Sequence, residues 1–454
     1  YKRQYLAWPS FFVDWTFAGL RVWDGIRATD YLVSRPEVDP ARLAVVGNSG
    51  GGQMAFLIAA VDERIGVCVA AHPGGPDEGL YLKGWGLGSR NLIDREILSL
   101  IPPRPCRIVV GRDSGEEPTH RPKYEDMLLF YEGLGRRENI EFMLVDGVHD
   151  MRQPKREATY EWFNSWFDKE EEGKTEPELH SAKEKDLRCT ESGFTLISRG
   201  GESGQTLNAG RLEEIYRPSD NNRMLKENIR ERLGLNLPAG MQKPVVRSQE
   251  ILRHEDIDIE KFTFESELGI LIPSVLYLPR QPDPGSPVYL YVSGKGKPRR
   301  FNPSGLPLSL AMEGSTVLAI DVRGTGETSP TPLIVLDQSE FSMDTPPNPK
   351  HHYILRSRHY IAAIQSPAFG RTMAGMRTFD VLRAIDLIHS RKDLEGKRTI
   401  VGGEGPGGLW ATIAAVFDPR VSGVATLGTI PSYKPFITNH YYNVWDYFWV
   451  PGVL

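Results

Sequence analysis

A serine between glycines opens the part of the sequence that could carry covalent chemistry. Gly47-Asn48-Ser49-Gly50-Gly51 fits the pattern G-x-S-x-G, in which a serine occupies a sharp turn between a strand and a helix. Small neighbours are needed there because larger side chains would clash at the strained backbone angles. The pattern predicts Ser49 as a nucleophile and the Gly50 N–H as a donor to an oxyanion. A glycine-rich turn with an incidental serine is the alternative.

A serine nucleophile needs a base, and the base needs an acid that orients it. Asp113 follows the apolar run 106–110, and His149 follows the run 140–145. Both would lie just beyond the carboxyl ends of strands, where the loops of parallel sheets build sites. We therefore predict Ser49, Asp113 and His149 as nucleophile, acid and base. The alternatives for the base are His72, which could line the pocket, and His120, which has the sequence context of a loop. The alternatives for the acid are Glu116, Glu117, Asp146 and Asp150.

The surrounding pattern alternates helices with short apolar strands. A helix is predicted over 20–34, a strand over 43–46 leading into the serine turn, a second helix through Ala55, and a strand over 65–71. A helix with Ala158, Trp162 and Trp166 four residues apart follows His149. This alternation is typical of βαβ units and predicts an α/β fold with mostly parallel, doubly wound sheets.

The sequence also contains an internal repeat. Shifting the chain by 356 positions aligns 21–65 with 377–421 without a gap, and 16 of the 45 aligned positions are identical. The identities include the pairs Arg21/Arg377, Asp30/Asp386, Arg42/Arg398, Gly47/Gly403, Gly51/Gly407, Gly52/Gly408, Asp62/Asp418 and Arg64/Arg420. The repeated unit is a whole module, and each copy lacks a part of the module that the other copy contains. We therefore expect two truncated modules cut from a longer tandem protein.

The second copy lacks the nucleophile. Its turn reads Gly403-Glu404-Gly405-Pro406-Gly407, and Gly405 stands where Ser49 stands in the first copy. Glu404 aligns with Asn48, one residue before the apex, so its carboxylate should not project to the same point. We expect the second module to be catalytically silent, although residues 293–296, Ser-Gly-Lys-Gly, follow a predicted strand as an oxyanion loop would.

Three regions are expected along the chain: the carboxyl-terminal part of a catalytic module (1–168), a connector (169–249) and the amino-terminal part of a degenerate module (250–454). The connector begins with a charged run over 169–186, which is typical of a solvated linker. A short β-rich piece is predicted at 187–198 and a helix at 221–233. Strands are predicted for the last region at 262–265, 270–278, 288–292 and 316–321.

The segment Arg35-Pro36-Glu37-Val38-Asp39-Pro40, feeding into Val46 to Gly52, resembles bacterial acetyl xylan esterase-like α/β hydrolases, including tandem forms with a degenerate second module. The resemblance covers roughly 18–168 and 250–454. It implies a serine esterase acting on acylated carbohydrate, with Ser49, Asp113 and His149 as its triad, and a periplasmic or secreted location. Similar elbows occur in prolyl-oligopeptidase-type peptidases and dienelactone-hydrolase relatives. A serine peptidase and a non-catalytic carbohydrate-binding protein are therefore the alternative functions.

Composition excludes several other classes. The net charge of −5 over 454 residues gives no electrostatic reason to expect a nucleic-acid partner. The longest apolar run, 54–61, is too short to cross a bilayer. Three cysteines cannot form a disulfide framework and are not spaced for zinc. His351 and His352 are adjacent and poorly placed to chelate one ion together, so we expect neither a metal nor another cofactor. The expected partner is a small-molecule or carbohydrate ester.

Overall fold

A computed structural model describes residues 9–10, 12–73, 94–167, 175–178, 180–216, 222–237, 241–298, 305–329, 362–363 and 366–438. The chain divides into two compact units, 1–211 and 212–454. His351 and His352, and residues 169–174 and 179 of the charged run 169–186, lie outside the described residues. In the ranges given, no helix is both long enough and apolar enough to cross a membrane.

The first unit is built on a four-stranded sheet in the order β1-β2-β3-β4, with every neighbouring pair parallel. Its strands are β1 (Leu43–Asn48), β2 (Ile65–Ala71), β3 (Cys106–Gly111) and β4 (Ile140–Val145). Its helices are α1 (Phe17–Val33), α2 (Gly50–Val61), α3 (Asp94–Leu98), α4 (Glu117–Gly133) and α5 (Gln153–Trp166). Asn48 pairs with Ala71, Ala71 with Val109 and Gly111 with Val145, so all four strands end at the same side of the sheet, with β3 and β4 two residues longer there. The segments that follow them therefore emerge side by side.

The two central strands, β2 and β3, are buried on both faces, as their apolar sequences require. Cys68 and Ile108 point into a cluster that includes Phe56 of α2 and Met127 of α4. The alternate strand positions, including Val67, Val69 and Val109, pack with Trp162 of α5 on the opposite face. Because side chains must alternate between the two layers, the register of each strand is fixed, and so is the level at which it ends.

The second unit contains a seven-stranded mixed sheet in the order β11-β10-β8-β9-β7-β6-β5. Its strands are β5 (Val246–His254), β6 (Ile257–Glu267), β7 (Ile270–Pro279), β8 (Val288–Ser293), β9 (Thr316–Ile320), β10 (Thr399–Glu404) and β11 (Val421–Leu427). The pairs β5–β6, β6–β7 and β7–β9 are antiparallel. The pairs β9–β8, β8–β10 and β10–β11 are parallel. The helices of this region are α10 (Leu306–Met312), α11 (Met373–Ser390), α12 (Pro406–Phe417) and α13 (Lys434–Thr438). The chain is thus of the mixed α/β class.

The part of the segment between these sheets that the structure describes contains helices joined by turns and irregular stretches. It contains α6 (Glu184–Leu187), α7 (Thr195–Arg199), α8 (Gly204–Ile215) and α9 (Asn222–Leu233). The predicted helix at 221–233 is confirmed. The predicted β-rich piece at 187–198 is wrong. The hydroxyl groups of Ser192 and Ser198 are hydrogen-bonded to each other, and this contact favours a local turn at the start of α7 over an extended strand.

The same contacts recur at positions 356 residues apart. Arg64 pairs with Asp62 and Asp30, and Arg420 pairs with Asp418 and Asp386. The caps of α1 and α11 also match: the Thr16 hydroxyl accepts from the Gly19 N–H at 2.9 Å, and the Thr372 hydroxyl accepts from the Gly375 N–H at 3.0 Å. The sequence similarity therefore corresponds to similar local structure on both sides of each glycine-rich turn.

Two adjacent glycines of α2 provide a test of the packing behind the serine turn. A Cβ added to Gly52 would lie 2.5 Å from the Ala71 carbonyl oxygen, whereas one added to Gly51 would meet nothing within 4 Å. We expect Gly52→Ala to lower the free energy of unfolding by about 1–3 kcal/mol. Gly51→Ala, the matched control, should leave stability unchanged or raise it by up to about 1 kcal/mol, because alanine is the better helix former. Urea denaturation measures both, and equal effects of the two substitutions would contradict the close packing.

Candidate active site

Ser49 lies at the apex of a strained turn between β1 and α2. Its backbone has φ 59° and ψ −121°, a left-handed conformation uncommon for a residue with a side chain. The Ser49 N–H donates to the Ala71 carbonyl at 2.9 Å, which ties the turn to the end of β2. Gly47 is required because an added Cβ would lie 2.1 Å from the Gly51 carbonyl oxygen. The predicted strand, turn and helix around Ser49 are therefore confirmed.

Gly50, predicted as the oxyanion donor, is the first residue of α2. The first N–H groups of a helix have no intrahelical acceptor, and the helix dipole places partial positive charge there. The Gly50 N–H is therefore suited to stabilise a negative oxygen bound next to Ser49.

The loop after β4 carries His149, whose side chain is 37% exposed. Its Nδ1 lies 2.8 Å from both carboxylate oxygens of Glu116. Glu116 comes shortly after β3. A one-turn 3₁₀ helix (Arg112–Ser114) and Gly115, whose φ of 70° redirects the chain, lie between them. The pair thus joins the segments that follow two neighbouring strands.

The structure places Asp113, the predicted acid, in a different contact. Its Oδ2 accepts a hydrogen bond from the Gly147 N–H at 3.2 Å, and its N–H donates to the Gly147 carbonyl at 3.0 Å. Among the described hydrogen bonds, Glu116 and not Asp113 is the carboxylate that contacts the His149 ring. Asp113 fastens the loop that carries the histidine, because the 3₁₀ turn takes its side chain towards Gly147.

Glu116 is the centre of a histidine cluster. Besides His149, its Oε2 contacts His72 Nδ1 at 2.7 Å and His120 Nε2 at 3.4 Å. Burial alone would raise the pKa of Glu116, but the hydrogen bonds from His149, His72 and His120 outweigh burial and lower this pKa to about 2. Glu116 is therefore a carboxylate throughout the neutral range.

His72 is fully buried at the end of β2 and also has positive φ, 43°. Its Nε2 accepts a hydrogen bond from the Gly111 N–H at 2.9 Å. The single proton of the neutral ring must therefore be on Nδ1, which donates to Glu116. Burial, the largest influence, lowers the pKa of His72 and keeps the ring neutral. Sequence reasoning had placed His72 near the pocket, from its position after a strand, but had not found these contacts.

His120 is a buried residue of α4, so its predicted place in a loop is wrong. The polar residues around it hid the helix, which begins at Glu117 with Pro118 in its first turn. Burial lowers the pKa of His120 to about 4, so it too is neutral near pH 7.

The ligand atoms of His72, Glu116 and His149 lie within 4.8 Å of one another, a spacing that could hold a metal ion. A metal ligand needs a free lone pair, however, and the Gly111 contact leaves the proton of neutral His72 on the Nδ1 that faces Glu116. These residues therefore fit a hydrogen-bond network and do not fit a metal in this arrangement.

Two further contacts fix the loop of His149. The ammonium of Lys155, which is buried in α5, donates to the Val148 carbonyl at 2.7 Å and to Asp150 at 2.9 Å. An added Cβ on Gly111 would lie 2.3 Å from the Gly147 carbonyl oxygen, so the loop packs directly on the end of β3.

The second glycine-rich turn has the same backbone as the first. Gly405 has φ 55° and ψ −128°, and its N–H donates to the Leu427 carbonyl at 2.8 Å. The Tyr291 hydroxyl donates to Glu404 at 2.6 Å, which holds that carboxylate to β8. Pro406 occupies the position that Gly50 has in the first turn, so the helix there begins without an N–H to offer.

Comparison with known proteins gives short matches. No protein-family model matches the chain. YtaP of Bacillus subtilis, named as a hydrolase, is 36% identical over 104 residues, which are 20% of this chain and 34% of that protein. The acetyl esterase Axe7A of Xylanibacter ruminicola is 42% identical over 57 residues, 13% of each chain. The chain thus spans about a third of the first relative and about an eighth of the second.

Solved structures with some similarity include an acetyl xylan esterase from Paenibacillus sp. R4. It is 21% identical and has a TM-score of 0.30, with 47% of this chain and 62% of that chain covered.

The pKa of Glu116 predicts a specific pH dependence of stability. Because its folded pKa, about 2, is below its ordinary 4.5, the ionised form contributes stability above pH 4.5, and this contribution is lost as the pH falls towards 2. We expect Glu116→Gln to cost about 1 kcal/mol at pH 5, after discounting for the partial exposure of the side chain, and the difference from wild type to shrink towards pH 2.5. Denaturation at several pH values measures this. Glu117→Gln, which removes a carboxylate next to Arg121, is the control, and an identical pH course in both variants would contradict the assignment.

Proposed function

We propose that the first unit is a serine esterase that uses Ser49 as nucleophile, His149 as base and Glu116 as the acid that orients it. The observation that carries the proposal is the Glu116–His149 pair beyond β3 and β4, at the same sheet edge where Ser49 follows β1. This arrangement supports acyl transfer because it supplies a nucleophile, a paired base and a helix N-terminus. The proposal replaces the predicted acid Asp113 with one of its alternatives.

The proton positions follow from the carboxylate. Ionised Glu116 can only accept hydrogen bonds, so the His149 proton lies on Nδ1 and leaves a lone pair on Nε2. Nε2 would take the Ser49 proton while Oγ attacks the ester carbonyl, and the Gly50 N–H would stabilise the oxyanion. The proton then passes to the leaving alcohol, and water releases the acid from the acyl-enzyme by the same steps.

Acylated carbohydrate is the proposed substrate class, through the resemblance of the elbow segment to acetyl xylan esterases. The local match to a protein named as an acetyl esterase supports an ester substrate, and the match to one named as a hydrolase supports the reaction class. The second unit is proposed to be a degenerate copy of the same module. The shared turn geometry supports common ancestry, and the absence of a side chain at Gly405 and of an N–H at Pro406 supports its catalytic silence.

The first test is the nucleophile. We expect Ser49→Ala in the intact protein to abolish release of p-nitrophenol from its acetate ester, because no other oxygen would stand at the apex of the turn. Wild type should be labelled on Ser49 by a fluorophosphonate probe, and the variant should not be labelled. Ser34→Ala is the control, since that hydroxyl only caps α1 at the Tyr31 carbonyl. Undiminished hydrolysis by Ser49→Ala would remove the proposal, and an unlabelled wild type would favour a binding protein.

The second test is the acid. Glu116→Gln keeps the size of the side chain but loses an acceptor oxygen, so one histidine would face an N–H₂ group. We expect kcat to fall by about 10²–10⁴, in line with amide replacement of the acid in other triads. Asp113→Asn retains an oxygen for the Gly147 N–H, and its kcat should fall less than about tenfold. Steady-state kinetics on the acetate ester decides between them, and a larger loss in Asp113→Asn would restore the original assignment.

A further inference from the structure

His72 is a buried histidine that the proposed reaction does not itself use. It is 0% exposed and has φ 43°, in a region that few residues other than glycine adopt. Such strain persists only where the surrounding structure determines the conformation, and it is concentrated at functional sites. Its location at the end of β2, between the turn of Ser49 and the segment of Glu116, makes its contacts worth following.

Three contacts hold the His72 ring, each from a different part of the sheet edge. The N–H of Gly111, at the end of β3, donates to Nε2 at 2.9 Å. Nδ1 donates to Glu116 Oε2 at 2.7 Å. The ring centroid lies 4.5 Å from that of His149, with 30° between the planes. His72 therefore touches both the proposed base and the carboxylate that orients it.

The ring is restricted to one protonation state. A proton on Nε2 would face the Gly111 N–H, so protonated His72 would lose that hydrogen bond and would also face His149 and the ammonium of Lys155. His72 consequently presents one fixed donor and one fixed acceptor. It can hold its neighbours in place, but it is not suited to carry protons.

Glu116 needs such support. Its side chain is 34% exposed and has several rotatable bonds, so water competes for its oxygens. The contact with His120 is long, 3.4 Å, which leaves His72 as the firm donor besides His149. Without the Nδ1–H of His72, the carboxylate would be free to turn away from the base.

We propose that His72 is a positioning residue, which holds the Glu116 carboxylate and the His149 ring in the geometry for proton transfer. This inference rests on the proposed function, since it assigns His72 a role in the same site. It adds a fourth side chain to the triad, supplied by the strand that the triad does not use.

Two amide substitutions test the contacts of the two ring nitrogens of His72 one at a time. The amide nitrogen of His72→Asn can occupy the place of Nδ1 and donate to Glu116, but it offers no acceptor to Gly111. The amide of His72→Gln reaches the place of Nε2 and can accept from Gly111, but it leaves Glu116 without its donor. Asparagine also tolerates positive φ.

We expect His72→Asn to keep a kcat close to wild type, and His72→Gln to lose about tenfold to a hundredfold in kcat with little change in KM. Rates are divided by the number of sites titrated with a fluorophosphonate, so unfolded protein does not count. Activity retained in the Gln variant and lost in the Asn variant, or equal losses in the two variants, would overturn the proposal.

A readout independent of catalysis separates this inference from the proposed function. The stability lost between pH 5 and pH 3 should be smaller in His72→Gln than in His72→Asn, because only the Asn variant retains the donor at position 72 that helps to lower the pKa of Glu116. If wild type hydrolyses no ester but this difference is found, the proposed function fails while the contact of His72 with Glu116 stands. If wild type is active and the two variants behave alike in both measurements, the role of His72 fails alone.

Discussion

A single carboxylate, Glu116, accounts for the arrangement of the candidate site. Its two oxygens gather three histidines from the end of β2, from α4 and from the loop after β4. Burying a charge is costly unless hydrogen bonds compensate, and here the donors that compensate are the rings that the site must orient. The same contacts therefore keep Glu116 ionised and fix which nitrogen of each adjoining ring carries its proton.

The sheet brings these three histidines close to Glu116. Because β1 to β4 are parallel and in a fixed register, the segments after them leave from the same side of the sheet, and backbone hydrogen bonds continue the order beyond the strands. The Ser49 N–H binds the end of β2, and the Gly111 N–H binds the residue after β2. Close backbone contacts at Gly52 and Gly111 leave little room for relative movement. Preorganisation of the site is thus a property of the main chain as much as of the side chains.

Much of this fold could be predicted from the sequence, since apolar runs bounded by glycine and charge mark β2, β3 and β4, and the elbow pattern marks the turn at Ser49. The sequence does not predict strand β5, because polar and charged residues such as Arg247, Gln249 and Glu250 interrupt the alternation of apolar and polar residues that marks a strand. Asp113 was predicted as the carboxylate partner of His149, with Glu116 among the alternatives, and the structure has Glu116 in this contact. A single 3₁₀ turn and the left-handed Gly115 decide which side chain faces the ring, and the residue pattern does not reveal them. The fit of His72 to Gly111 depends on hydrogen-bond geometry, which leaves no trace in composition or periodicity.

Pro406 limits what the second glycine-rich turn can offer chemically. A hydroxyl introduced at position 405 would stand before a helix that begins with a proline ring in place of an N–H donor, so a negative intermediate would find one stabilising group fewer. Removal of one such group commonly slows turnover by about 10²–10³. The second turn would therefore need changes at both 405 and 406 before it offered a hydroxyl and an adjoining N–H donor together.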